Sequence, residues 1–170
     1  MLRTPLLTLD IAKAATGWAA WSPGTPPEYG TERFGRYSDL GAMLCAYSAW
    51  LGDLLRARGV QTVVFEAPYV RHPNTAEALY NLTGTTEQVC KMRSIACYSE
   101  HVGTVRKHFI GNGGLRRDRA KARVIEECRA RGWEPPDDNA ADALALLDHQ
   151  AHVWKLKPDW PCGALFEAAG

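Results

Sequence analysis

Apolar and polar positions fall into short blocks along the first third of the chain. Leu6-Leu7-Thr8-Leu9-Asp10-Ile11 is a β-rich run that ends in an acid, and Gly17 to Trp21 is a second. Lys13 to Thr16 between them has the length of a hairpin connection. Pro23 to Pro27 marks a loop, and Tyr29 to Phe34 predicts a third strand on the same sheet. From Ser38 to Arg58, Leu40, Met43, Leu44, Tyr47, Leu51, Leu54 and Leu55 recur at helical spacing, with Ser38-Asp39 as capping chemistry and Gly59 as the stop. Val60 to Glu66 is almost continuously apolar, the pattern of a strand covered on both faces beside parallel neighbours.

The pattern then changes period. Thr75 to Tyr98 predicts one long helix or two, with Gly84 as a possible break. Its apolar positions Ala76, Leu79, Leu82, Val89, Met92 and Ile95 exceed one core-facing stripe, which a wholly buried helix would explain. Val102 to Ile110 reads as a short strand and a turn, and Gly111-Asn112-Gly113-Gly114 as a flexible hinge. Arg117 to Arg131 predicts a basic helix closed by Gly132, and Pro135-Pro136-Asp137-Asp138-Asn139 opens a last helix from Ala140 to about Val153. These elements predict an α/β domain over residues 1–154 with a sheet of mixed direction, and a tail over 155–170.

Composition narrows the class. At 170 residues the chain is one domain that needs no metal or disulfide staple to hold a core. Its 46% hydrophobic and 23% charged residues exclude disordered, collagen-like and coiled-coil chains. The five cysteines are scattered and lack zinc-ligand spacing, so they read as reduced thiols. The start lacks a signal peptide's apolar stretch, and no segment reaches the ~20 apolar residues of a membrane span. The expectation is a soluble, cytoplasmic protein with no membrane partner.

A net charge of +1 argues at first against a nucleic-acid partner. The average conceals a division. From Arg106 to Arg131 there are nine basic residues against three acidic ones, so this stretch is +6 and the rest of the chain −5. Arg129 and Arg131 suit a solvated helix face. Arg106, Lys107, Arg116, Arg117, Arg119 and Lys121 are candidates for following a phosphate backbone without sequence preference.

Three acids stand in unusual places. Asp10 and Glu66 end apolar strands, where a carboxylate is costly to bury unless paired or bound to a cation. Asp142 interrupts Ala140-Ala141-Asp142-Ala143-Leu144-Ala145, and Asp138 lies four residues earlier on the same helix face. Carboxylates converging on one point repel each other and recruit hard cations, typically Mg²⁺ or Mn²⁺. Taken singly, each has a plain alternative: Asp138 as a helix cap, Glu66 as a strand end, Asp10 as a turn acid. Their arrival at one structural edge favours a metal site.

Asp10-Ile11-Ala12-Lys13-Ala14-Ala15-Thr16-Gly17-Trp18-Ala19 resembles the opening motif of RuvC-type Holliday junction resolvases. Phe65-Glu66 resembles that family's second acidic strand, and Asn139-Ala140-Ala141-Asp142-Ala143-Leu144-Ala145 its C-terminal acidic helix. The ordered set spans Leu6 to His152 and looks most like the compact phage and prophage branch. The resemblance implies an RNase H-like fold, with a mixed five-stranded sheet of three antiparallel then two parallel strands. It also implies a homodimer, joined through the helix that begins at Thr75, making paired symmetric nicks in four-way DNA junctions and leaving 5′-phosphate and 3′-hydroxyl ends. Asp10, Glu66 and Asp142 would carry over as catalytic ligands of two Mg²⁺ or Mn²⁺ ions.

Two positions depart from the family pattern. Ala12 replaces a glycine, and Asn139 replaces a second helix acid, which leaves Asp138 as the candidate fourth ligand. By the same resemblance Arg106 and Lys121 are DNA contacts, and Tyr69 stacks on an unpaired base, with Arg71 and His72 beside it. A tyrosine covering the sheet end accounts for Tyr69 equally well. His108 reads as an ordinary surface histidine. Rival readings are a junction-binding dimer that has lost cleavage, a branched-DNA nuclease of broader specificity, and an actin-like phosphotransferase. The last requires a second phosphate loop and a longer chain than this one.

Overall fold

In the computed structural model, residues 4–68 and 73–160 are described. Five strands form one sheet: β1 (Leu6–Ile11), β2 (Ala15–Trp21), β3 (Glu28–Arg33), β4 (Thr62–Glu66) and β5 (Ala96–Glu100), in the order β3-β2-β1-β4-β5. The first three pair antiparallel, and β4 and β5 add in parallel to β1. This is the mixed five-stranded arrangement that the family resemblance implies.

Alternation along β1 and β4 divides the core in two. Leu7, Leu9, Val63 and Phe65 face a layer made by α1 (Leu40–Ala57) and α2 (Pro73–Met92), where Tyr47, Leu51, Leu82 and Val89 are buried. Leu6 and Val64 face the other layer, made by α3 (Val102–Ile110), α4 (Arg117–Ala130) and α5 (Asp138–Val153). The central strands are therefore covered on both sides, which is why they read as unbroken apolar runs. The even-numbered positions, Asp10 and Glu66 among them, belong to the α5 face.

Local chemistry sets the helix ends. Asp39 caps α1 by accepting the Ala42 N–H at 2.7 Å, so the second residue of the expected Ser38-Asp39 pair is the cap. Gly84 does not break α2, which runs on to Met92. The helix is stopped by Ser94 at φ 56°, where the Ile95 N–H returns to the Cys90 carbonyl at 3.0 Å. The segment expected to continue that helix to Tyr98 is instead β5. It is an edge strand with partly exposed positions, so it carries no continuous apolar run to announce it.

Val102–Ile110 is a helix rather than the expected strand and turn. Its β-branched valines suggest a strand, but Val105, Phe109 and Ile110 are buried at helical spacing, and His101 caps the start through Gly103 N–H at 3.1 Å. The expected glycine hinge is a turn packed on α3. A Cβ at Gly113 would lie 2.5 Å from the Gly103 carbonyl oxygen, so only glycine fits that approach. Beyond α5, Trp160 packs edge-on against Trp21 and Trp133 in the core. Among the described residues no helix is long and apolar enough to cross a membrane.

Candidate active site

β1 and β4 run parallel in register Leu9↔Phe65, which places Asp10 and Glu66 side by side one step further on. Across the hairpin Asp10 pairs with Gly17, and the start of α5 lies directly over that glycine. Thr8 fastens the helix to the sheet by donating to the Ala143 carbonyl at 2.7 Å. Asp142, one residue before that anchor, is 6% exposed and faces the same point.

The three carboxylates share one electrostatic environment. Burial, then the Asp142 charge, pushes the Asp10 carboxyl up to about 7. Glu66 is raised well above its ordinary value by burial and by Asp10 and Asp142. Asp142 is raised by burial. Arg106 from α3 and Lys121 from α4 pull all three the other way, and Arg117 acts on Asp10 and Asp142. Each acid is disfavoured in its charged form until a positive group compensates it. Among the described residues no three His, Cys, Asp or Glu side chains are already drawn together closely enough to enclose an ion.

Asp138 is the first residue of α5, on the helix face of Asp142, and its carboxylate is ion-paired with Lys121. The cap is Asp137. Its carboxylate accepts the Ala140 N–H at 3.1 Å, the Thr31 hydroxyl at 2.6 Å and the Arg33 guanidinium at 2.9 Å. Two ligands from β3 thus hold the N-terminus of the acidic helix. The Pro-Pro-Asp-Asp motif signals a cap, but only the fold decides which aspartate takes it.

The predicted basic residues divide as follows. Lys107, Arg116 and Arg119 are exposed, and among the described residues none of them is ion-paired. Arg123, Arg129 and Arg131 pair with Glu126, Glu134 and Glu127. Tyr69, Arg71 and His72 lie outside the described residues. Sequence reasoning missed Glu100, the register partner of Glu66, whose carboxylate turns to Gln150 and His149 at 3.4 and 3.5 Å. It also missed buried Asp148, which accepts from Trp160 at 2.9 Å and bonds His108 at 2.8 Å. His108 is therefore mostly buried rather than a surface group. Nothing in the spacing of these polar residues distinguishes them from solvated ones.

No protein-family model matches the sequence, and no curated protein matches it either. Solved structures do match in fold. A structure of Thermus thermophilus RuvC superposes with a TM-score of 0.69 at 13% identity, covering 95% of this chain and 99% of that one. The T. thermophilus RuvC in complex with a Holliday junction substrate gives 0.70 at 13%, covering 91% and 96%. The yeast mitochondrial Holliday junction resolvase Ydc2 gives 0.58 at 10%, covering 84% and 75%. At these identities the likeness is one of fold: the sheet order and flanking helices match the RuvC, RNase H-like architecture.

Proposed function

We propose that this protein is a divalent-metal-dependent endonuclease that resolves four-way DNA junctions by paired symmetric nicks, leaving 5′-phosphate and 3′-hydroxyl ends. The observation that supports the reading is the shared electrostatic environment of Asp10, Glu66 and Asp142, from two strands and a buried helix, each raised in pKa and each acted on by Arg106 and Lys121. Structural acids in a core are normally neutralised by one close partner. This trio shares a set of cations instead.

The donor set suits Mg²⁺ or Mn²⁺, because three carboxylates offer hard, charged oxygens and no nitrogen or sulfur. Asp10, Glu66 and Asp142 would hold two such ions, with Asp138 as a fourth ligand released from Lys121. When bound, the ions supply Lewis acidity and an activated water for attack on phosphorus. The chain does the rest. Asp10 and Glu66 fix the sheet side of the site, and Asp142 fixes the helix side. Arg106, Arg117 and Lys121 draw the phosphate to that point, and Lys107, Arg116 and Arg119 follow the backbone beyond it.

A symmetric substrate calls for two copies of the site. Helix α2 carries Tyr80 at 58% and Met92 at 75% exposure, and we assign the outer side of this helix to a homodimer. The test is cleavage of an end-labelled four-way junction with Mg²⁺ or Mn²⁺, with chelator, and with Asp142→Asn. Nicking that needs metal and falls by more than ~100-fold in the variant, beyond what an outer-shell loss costs, supports the enzyme. Tight junction binding without metal-dependent nicking would leave a binding dimer. Equal cutting of unbranched duplex would remove the structure selectivity.

A further inference from the structure

Two cysteines meet away from the carboxylates. Cys90 lies near the end of α2 and is fully buried. Cys97 is the second residue of β5 and is only partly buried, packed against the α1–α2 core that also holds Cys90. The backbone brings them together: the turn at Ser94 reverses the chain, and the Ile95 N–H bonds to the Cys90 carbonyl at 3.0 Å. Cys97 is the register partner of Val63, so both cysteines belong to that one layer, on either side of the turn. By contrast, Cys45 is exposed, and Cys128 donates to the Ala141 carbonyl at 3.8 Å.

We propose that Cys90 and Cys97 form an oxidisable dithiol site, which a low-molecular-weight disulfide of the glutathione type converts to an intramolecular disulfide. The roles follow from position. Cys97 is the reachable sulfur, and neighbouring Cys90 holds its thiol below the ordinary range. Neighbouring Cys97, with burial, holds Cys90 well above it. Cys97 as thiolate attacks one sulfur of the small disulfide and expels the other half as a thiolate. Cys90 then gives up its proton and attacks Cys97 Sγ, expelling the second half. The small disulfide is reduced to two thiols, and two protein thiols become one disulfide bond. The bridge would bring the two sulfurs to the ~2.05 Å bond distance across a turn whose backbone already ties Ile95 to Cys90. The bridge would tie the last turn of α2 to the strand beside the one that carries Glu66.

The test is exposure of the native protein to oxidised glutathione, then alkylation of the remaining thiols under denaturing conditions and non-reducing tryptic mapping. Trypsin cuts at Lys91 and Arg93, between the two cysteines, so a bridge appears as a linked peptide pair that reductant separates. The expected result is loss of two of the five thiols as a Cys90–Cys97 pair. Cys90→Ser should retain glutathione on Cys97, because no second sulfur is present to expel it. The wild-type map needs no variant and stands if Cys90→Ser fails to fold. The proposal is overturned if Cys90 and Cys97 both stay alkylatable while exposed Cys45 is modified, or if either bridges to another cysteine or another chain.

Discussion

Gly17 on β2 lies beneath Asn139 at the start of α5 so closely that a Cβ would sit 1.9 Å from the Asn139 carbonyl oxygen. No side-chain rotation relieves a clash between two backbones. Because Gly17 is also the cross-strand partner of Asp10, this contact sets the gap between Asp10 and Asp142. Gly17→Ala should lift the helix end, lower stability by about 1–3 kcal/mol and abolish junction cleavage while the protein stays folded. Gly84→Ala, an exposed helical position where a Cβ meets nothing within 4 Å, should be neutral or stabilising by up to ~1 kcal/mol. Thermal melts on both variants, and a nicking assay on Gly17→Ala, check these outcomes.

The raised carboxyl of Asp10 predicts an unusual pH dependence. Its pKa is 3.8 in the ordinary state and about 7 in the fold. Between those values the native state binds more protons than the unfolded chain, so stability falls as pH rises through this window. Asp10→Asn removes the titrating group. In chelator at pH 8 it should be more stable than the wild type by about 1–3 kcal/mol, a rise of several degrees in Tm, and flatter from pH 4 to 7. Adding Mg²⁺ at pH 8 should stabilise the wild type more than the variant. Melts from pH 4 to 8, with chelator and with metal, decide both points.

Much of this layout is legible in the residues themselves. Leu6 to Asp10 and Val60 to Glu66 announce buried central strands because both faces are covered, and the acid that ends each run marks the sheet edge where the two meet. The basic helix is announced by the glycine that closes it, Gly132, and the acidic helix by the Pro135-Pro136-Asp137-Asp138-Asn139 that opens it. What is not legible is set by context. The edge strand β5 needs β4 to exist and has no stripe of its own, and α3 has a β-like composition but packs on helical spacing. The choice of Asp137 over Asp138 as cap depends on Thr31 and Arg33, more than a hundred positions away in sequence.

That distant tie makes Asp137 a positioning residue. It caps α5 and anchors it to β3, while Asp138 and Asp142 remain on the helix behind it. Asp137→Ala should cost about 1–2 kcal/mol, the value of a strong cap. It should also reduce cleavage more than junction binding, because the carboxylates shift while the basic helix stays. Asp137→Asn keeps a capping oxygen and should recover most of the stability, losing only the charge opposite Arg33. Equal losses of binding and cleavage in Asp137→Ala would show that the residue serves folding alone.

Lys121 stands at the junction of the acidic and basic halves of the molecule. It pairs with Asp138 and lowers the pKa of Asp10, Glu66 and Asp142. The pair is partly exposed, so its removal should cost only about 0.5–1 kcal/mol of stability. Its electrostatic effect should be larger. In Lys121→Met the Asp10 carboxyl should titrate above its wild-type value of about 7, since one compensating cation is gone. If the ammonium also meets a phosphate, the slope of log K for junction binding against log salt should become shallower by ~0.9, one counterion's worth. An unchanged salt slope with a shifted Asp10 titration would assign Lys121 to holding the acids in place, and the phosphate contact would then fall to Arg106 and Arg117.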